Sequence, residues 1–325
     1  MTNTQPMITH RRKKVLLDVD TGVDDAIGII VAATAPEIEL LGITTVSGNI
    51  DLASATVNTL RVLKLLGKDG VYPVHMGASA PLYRKVRYAT EVHGSTGLAG
   101  QLQEIPVDLP KNTAAEDFMI ESIDQHPGEI TLVMTAPQTN FAKALIKRPD
   151  LGGKLKEIIF MGGVADGRGN ESPRAEFNIA IDPEAADRVL NCGAKITMVG
   201  LDVTQKALLT RKDLQTLDGE NPIMDFVKKV TADYMERHHS LQGIYGCLMH
   251  DPLAVSLVID SGFVTTTPHF VAVETDSTYC DGETVCDFTD YWKKEANVHV
   301  AMELDREAFI DFLLHRIEKA GVIHD

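Results

Sequence analysis

A single tryptophan, four cysteines and an aromatic content of 6% are the scarcities of this 325-residue chain. The cysteines, Cys192, Cys247, Cys280 and Cys286, form no C-x-x-C pair. They supply neither a zinc-ligand spacing nor the density of a disulfide framework, which points to a reducing, cytoplasmic setting. Positive charge is also short: 31 Lys and Arg face 46 Asp and Glu, for a formal net charge of -15. Such a chain lacks the basic footprint of a nucleic-acid binder and the polybasic segments that hold anionic membranes. No apolar run approaches the roughly 18 residues of a membrane span. The N-terminal MTNTQPMITHRRKK has no apolar core of a secretory signal. Its basic run, Arg11 to Lys14, reads as a solvated lead-in. Residues 1–14 are therefore expected to be a flexible segment, and residues 15–325, without repeats or low-complexity linkers, a single α/β domain.

What is present is 44% hydrophobic residues in a regular alternation. VLLDVD (15–20) reads as a strand. Ala26, Ile29, Ile30 and Ala33 then recur at helical spacing, and Pro36 closes that helix. ELLGITTV (39–46) is the next strand, and Ala53–Leu66 the next helix. EITLVMT (129–135), EIIFMGG (157–163), KITMVGLDV (195–203) and VHVAMEL (298–304) read as further strands. Helices are expected over FAKALIKR (141–148), from Asp182-Pro183 as N-cap and first helical residue, over 225–239, from Asp251-Pro252, and after Asp305. Strands separated by helices imply an open, mostly parallel, doubly wound, Rossmann-like α/β sheet. In such sheets ligands bind beyond the carboxyl ends of the strands.

One of those ends carries VLLDVDTGVDDA (15–26), with four aspartates in eight positions. Four readings compete. Helix capping accounts for Asp24 and Asp25, which precede or open a helix, but not for Asp18 and Asp20. An EF-hand needs Glu at loop position 12; counted from Asp18 or Asp20 that position holds Ile29 or Val31. A haloacid-dehalogenase-type, Mg²⁺-dependent phosphatase would use Asp18-x-Asp20 but leaves Asp24-Asp25 unexplained. A catalytic divalent-metal site uses several converging carboxylates, because a hard cation neutralises them.

DVDTGVDDA resembles the D-x-D-x-G-x-D-D motif of the nucleoside hydrolases, the inosine-uridine and pyrimidine-preferring ribonucleoside hydrolases. Further stretches resemble that family in its order: VSGN (46–49), VHGSTGL (92–98), TAPQTN (135–140), MGG (161–163), GNESPRAEFNIAIDPEAA (169–186), GLDVT (200–204) and MHDPLAV (249–255). The chain departs from the usual pattern at Thr21 for Pro, Ala136 for Gly, and Ser95-Thr96 after His-Gly.

The resemblance implies the nucleoside hydrolase fold and hydrolysis of the N-glycosidic bond of ribonucleosides, with Ca²⁺ as cofactor. It places Ca²⁺ on Asp20, Asp25, the Thr135 carbonyl and Asp251, with Asp20 as base toward the attacking water. Asp24 would bond ribose or water, and Asp18 would be structural. Asn49, Asn170, Glu176 and Asn178 form the implied ribose set, with Met161 and Phe177 beside them. Glu176 and Asn178 at i, i+2 would face the ligand together from an extended segment. Asn170 also fits a simple turn, since Gly-Asn is turn-prone. His250 and His93 are the implied proton donors to the departing base, and Tyr234 and His238, one helical turn apart, its outer wall. The implied partners are a small ribonucleoside and further copies of the chain, as a homodimer or homotetramer. Uridine and cytidine are expected ahead of inosine. A non-catalytic nucleoside- or ribose-binding protein is the alternative outside enzymology.

Overall fold

The computed structural model describes residues 11–217 and 221–321. Its strands are β1 (Lys13–Val19), β2 (Ile38–Thr45), β3 (Val74–Met76), β4 (Ile130–Met134), β5 (Glu157–Met161), β6 (Ile196–Val199), β7 (Leu208–Leu209), β8 (Cys247–Leu248), β9 (Val264–Val273), β10 (Thr284–Asp287) and β11 (Val298–Leu304). Nine of them form one sheet in the order β10-β9-β11-β6-β5-β4-β1-β2-β3, and β7 and β8 pair separately. Pairing is parallel from β3 across to β11. At the far edge β9 runs antiparallel to both β11 and β10.

The helices are α1 (Val23–Thr34), α2 (Leu52–Leu65), α3 (Thr90–His93), α4 (Ala115–Gln125), α5 (Thr139–Lys147), α6 (Phe177–Ile181), α7 (Pro183–Leu190), α8 (Leu201–Thr204), α9 (Arg211–Leu214), α10 (Pro222–Gln242), α11 (His250–Ile259) and α12 (Arg306–Ala320). They cover both faces of the sheet, because the strand period of two sends apolar side chains both ways. Val15, Leu17 and Val19 join the core layer of α1, α11 and α12. Leu16 joins the opposite layer of α4, α5 and α7. Buried side chains of this kind stabilise by roughly 1.5–3 kcal/mol each. Helix α1 is buried almost all round, as an apolar helix between layers must be. It ends before Pro36, with Ala35 extended (φ -70°, ψ 122°), the conformation proline imposes on its predecessor.

Chain order explains where a ligand can enter. From β1 the chain steps to β2 and β3 on one side, then returns to β4 on the other. The crevice between the ends of β1 and β4 is the switch point of the sheet. Asp182 and Asp305 cap their helices as expected, accepting from Ala185 N and Ala308 N.

Three expectations change. Residues 195–203 do not continue as one strand: β6 stops at Val199, Leu201 N bonds back to Gly163 O, and Leu201–Thr204 turns into α8. Residues 162 and 163 likewise leave β5 at Met161. The lead-in through residue 14 is shorter, because Lys13 and Lys14 open β1. Lys13 Nζ donates to Val258 O (2.6 Å), and Lys14 pairs with Glu129 (2.9 Å). Residues 1–10 lie outside the described residues. The edge strands β9 and β10 were not read from the sequence.

Candidate active site

A cleft of 490 Å³ opens over the switch point. Its floor is built by the turn from β1 into α1. Asp25, in the first turn of α1, accepts from Gly22 N (2.9 Å), Asn49 Nδ2 (3.1 Å) and the Thr135 hydroxyl (2.9 Å). Asp20 accepts from Asn49 N (2.6 Å) and Asn49 Nδ2 (3.1 Å). Glycine at two positions permits this packing. A Cβ on Gly48 would lie 2.0 Å from Asp20 Oδ2, and one on Gly22 would lie 2.5 Å from His93 Nδ1.

Asp24, Asp25 and Asp251 converge on the floor, each offering an oxygen within 4.8 Å of the others. All three are buried, as is Asp20. Burial raises the affinity of each for a proton, and mutual repulsion adds to it. Asp24 is pushed up to about 7, by burial and then by Asp25. Asp20 and Asp251 are raised well above the ordinary range, again by burial first. Asp24 Oδ1 is buried without a hydrogen-bond partner. An unpaired buried oxygen facing two further carboxylates is the environment of a hard, oxygen-seeking cation.

The sequence-predicted residues divide into three groups. Asp24, Asn49, Thr135, Met161, Asn170 and Asp251 border the cleft, as do Glu176, Phe177, Asn178, His93, Tyr234, His238 and His250. Asp20 and Asp25 lie in the floor without bordering it; Asp20 stands outside the close trio, in contact with Asp25. Asp18 faces the other way. Its Oδ1 accepts from Thr44 Oγ1 (2.6 Å) and Asn140 Nδ2 (2.8 Å). A phosphatase of the Asp18-x-Asp20 type needs both carboxylates at the substrate, and this orientation removes one.

Glu176 and Asn178 do not share an extended segment. Glu176 is the N-cap of α6, with Oε1 accepting from Asn178 N (3.0 Å) and Oε2 from Ile179 N (3.2 Å) and Gly163 N (2.9 Å). The carboxylate satisfies helix N–H groups that an extended strand would not present. Both residues still border the cleft. Burial pushes Glu176 up to about 7. Asn178 Nδ2 donates to the carbonyls of Thr135 and Met161, both at 3.2 Å. Asn170 accepts from Phe177 N through its side chain (2.9 Å), tying its loop to α6.

The outer wall is aromatic and basic. His93 and Tyr234 stack with centroids 5.5 Å apart, and Tyr234 and His238 lie tilted against each other with centroids 4.1 Å apart. Val23 N donates to His93 Nδ1 (3.3 Å), so Nε2 carries the ring hydrogen of the neutral imidazole. His93 and His250 are both pushed down to about 3, by burial first, with His238 and Arg237 adding to it at His93 and His238 and His93 at His250. Tyr88, Glu91, Gln205 and Leu241 complete the wall and were not anticipated. They are isolated positions without a motif. The loop bearing Tyr88 is held by Arg84, bonded to Glu184 and Asp281, and by Arg87, paired with Glu171 (2.6 Å). Trp292 lies elsewhere, edge-on to Phe270.

The family model described as inosine-uridine preferring nucleoside hydrolase matches residues 15–311. The chain is 38% identical over 309 residues to the pyrimidine-specific ribonucleoside hydrolase RihA of Salmonella arizonae, covering 94% of this chain and 99% of that protein. Among solved structures it is similar to the plant nucleoside hydrolase PpNRh1, with a TM-score of 0.90, 33% identity and coverage of 95% and 99%. It is also similar to the purine-preferring ribonucleoside hydrolase from Gardnerella vaginalis, with a TM-score of 0.87, 32% identity and the same coverage. The fold, the match along nearly the whole chain and the carboxylate-floored cleft agree: the chain belongs to the inosine-uridine preferring nucleoside hydrolase family and is a ribonucleoside hydrolase, an N-glycosyl hydrolase.

Proposed function

We propose that this hydrolase depends on Ca²⁺ and cleaves uridine and cytidine in preference to inosine. The observation that carries the reading is the convergence of Asp24, Asp25 and Asp251 beneath a cleft bordered by Asn49, Glu176 and Asn178. Asp25 and Asp251, with Asp20 and the Thr135 carbonyl, are the residues that would hold the cation; Asp24 would join them or bond the sugar. Bound there, Ca²⁺ supplies the positive charge that offsets the carboxylates and makes a neighbouring water acidic.

The protein's own groups perform the rest. Asp20, whose proton affinity is raised by burial and by Asp25, takes the proton of the attacking water. Asn49, Asn170, Glu176 and Asn178 orient the ribose through its hydroxyls, amide and carboxylate offering both donors and acceptors. Bond cleavage builds positive charge on C1′ and the ring oxygen, and the fixed carboxylates of Asp24 and Glu176 stabilise it. His250 or His93 hydrogen-bonds the departing base through its Nε2–H as negative charge develops on it, and Tyr234 and His238 close that side.

The preference for pyrimidines rests on the histidine and tyrosine wall, on the absence of tryptophan from the cleft lining, and on the similarity to a relative named pyrimidine-specific. We read residues 15–325 as one catalytic unit acting in cytoplasmic nucleoside salvage as a homodimer or homotetramer. A ribose-release screen across adenosine, inosine, guanosine, uridine and cytidine, with Ca²⁺ and after chelation, tests the proposal. Faster release from inosine than from uridine and cytidine would overturn the base preference; full turnover after exhaustive chelation would overturn the metal.

A further inference from the structure

The GLDVT stretch ends in Thr204, a fully buried residue whose Oγ1 lies 2.8 Å from His250 Nδ1. We infer that Thr204 is a positioning residue for departure of the base: its hydroxyl donates to Nδ1 and fixes His250 as the tautomer with its hydrogen on Nε2, the ring nitrogen left to the cleft. This rests on the proposed reading of the cleft, in which His250 faces the base.

The direction of the hydrogen bond follows from satisfying the hydroxyl. Thr34, Thr56, Thr59 and Thr231 each donate to the carbonyl four residues back, at 2.6 to 2.9 Å. Thr204 ends a helical turn too, with its N bonded to Gly200 O. Among the described residues, however, the hydrogen-bond partner of its hydroxyl is His250 Nδ1. A buried O–H with one acceptor in reach donates to it, since the opposite arrangement orphans the hydroxyl hydrogen. With Nδ1 accepting, the neutral ring carries its hydrogen on Nε2.

The surrounding backbone holds this pair in register. Met249 N donates to Ala207 O (2.9 Å), and the short ribbon pairs Leu208 with Leu248 and Leu209 with Cys247. These links join the segment after Thr204 to the segment before His250. On the other side, Asp202 accepts from Ala165 N (2.7 Å) and Asp166 N (2.9 Å), and Leu201 N donates to Gly163 O (2.9 Å). The hydroxyl therefore sits on a platform braced from both sides; partners that orient metal-ligating imidazoles are worth about 10–100-fold in activity, and the same scale is expected for Thr204 and His250.

The test combines Thr204→Val, Thr204→Ser and a spectroscopic reading of the ring. In Thr204→Val, kcat for uridine should fall about 10–100-fold with KM little changed. Hydrolysis of p-nitrophenyl riboside, whose phenolate leaves without a proton, should be nearly retained. Thr204→Ser should recover most of the uridine rate. Long-range ¹H–¹⁵N correlation of wild-type protein, with His250 assigned by its loss in His250→Gln, should show Nδ1 unprotonated and Nε2 protonated. Equal losses on both substrates, or a hydrogen on Nδ1 in the wild type, would overturn the inference. A wild-type protein that cleaves neither substrate would sink the proposed function instead, and the ring spectrum would still decide the tautomer.

Discussion

Gly48 packs against Asp20 so closely that a single added methyl carbon would sit 2.0 Å from the carboxylate oxygen. The same oxygen accepts from Asn49 N at 2.6 Å, so the glycine and the amide after it together fix where the carboxylate points. Gly48→Ala must push Asp20 aside. Displacing a reacting group by about 1 Å costs on the order of 10²-fold, and kcat/KM for uridine should fall by about that much in a ribose-release assay. Unchanged turnover in a folded Gly48→Ala protein would mean that the position of Asp20 does not matter to the reaction.

The carboxylate floor also predicts how stability depends on pH. Asp18, Asp24 and Glu176 are pushed up to about 7, and Asp20, Asp25 and Asp251 are raised as well, burial being the first cause in every case. Unfolded, these groups release their protons near pH 4. Above that pH the folded, metal-free chain holds more protons than the unfolded one, so the stability these groups contribute is complete below about pH 4 and is lost as pH rises through 7. A cation held by Asp20, Asp25 and Asp251, as proposed, would replace the protons on those groups. The melting temperature of chelated protein should therefore fall from pH 5 to pH 8, and the increment from added Ca²⁺ should widen over the same range. A chelated protein whose melting temperature climbs with pH in that window contradicts the assignment.

The turn carrying these groups was readable because two patterns meet there. A short apolar run through Leu17 and Val19 gives way to helical spacing from Ala26, with Gly22 between. Asp182-Pro183 and Asp305 were readable for the same local reason, a cap and a first helical residue adjacent in sequence. The N-cap made by Glu176 was not: its neighbours pass for an extended segment, and only the folded chain brings Gly163 N to its carboxylate. Tyr88 and Glu91 depend on Arg84 and Glu184, a hundred positions apart in the chain. The antiparallel edge of β9 and β10 depends on pairing with β11, which no local pattern announces.

The sugar supplies a separate test. Asn49, Glu176 and Asn178 place polar groups around the cleft, and the cation proposal adds a partner for the ribose hydroxyls. Removing one hydroxyl leaves such a site with unpaired groups, and sites built around a hydroxyl reject the analogue lacking it by roughly 10⁴–10⁵. Steady-state comparison of uridine with 2′-deoxyuridine should show discrimination of that order. Equal cleavage of the two would remove the 2′-hydroxyl from the binding scheme.

The last prediction separates the two histidines. His250 is tied to Thr204, whereas His93 takes its bond from Val23 N and stacks on Tyr234. If His250 serves the departing base, His250→Ala should slow uridine or inosine by roughly 10²–10³, the range for removing one donor aimed at developing negative charge. The same protein should keep most of its activity on p-nitrophenyl riboside, because the carboxylate floor and the ribose contacts are untouched. Asp20→Asn should depress both substrates alike, since activation of the water does not depend on which group leaves. Comparable losses on both substrates in His250→Ala would assign His250 to supporting Asp251, its neighbour in the first turn of α11, and would move the donor to His93. In that case His93→Ala should show the selective loss. His93 presents its Nε2 hydrogen through a bond from the main chain, so this function would survive any substitution at Thr204.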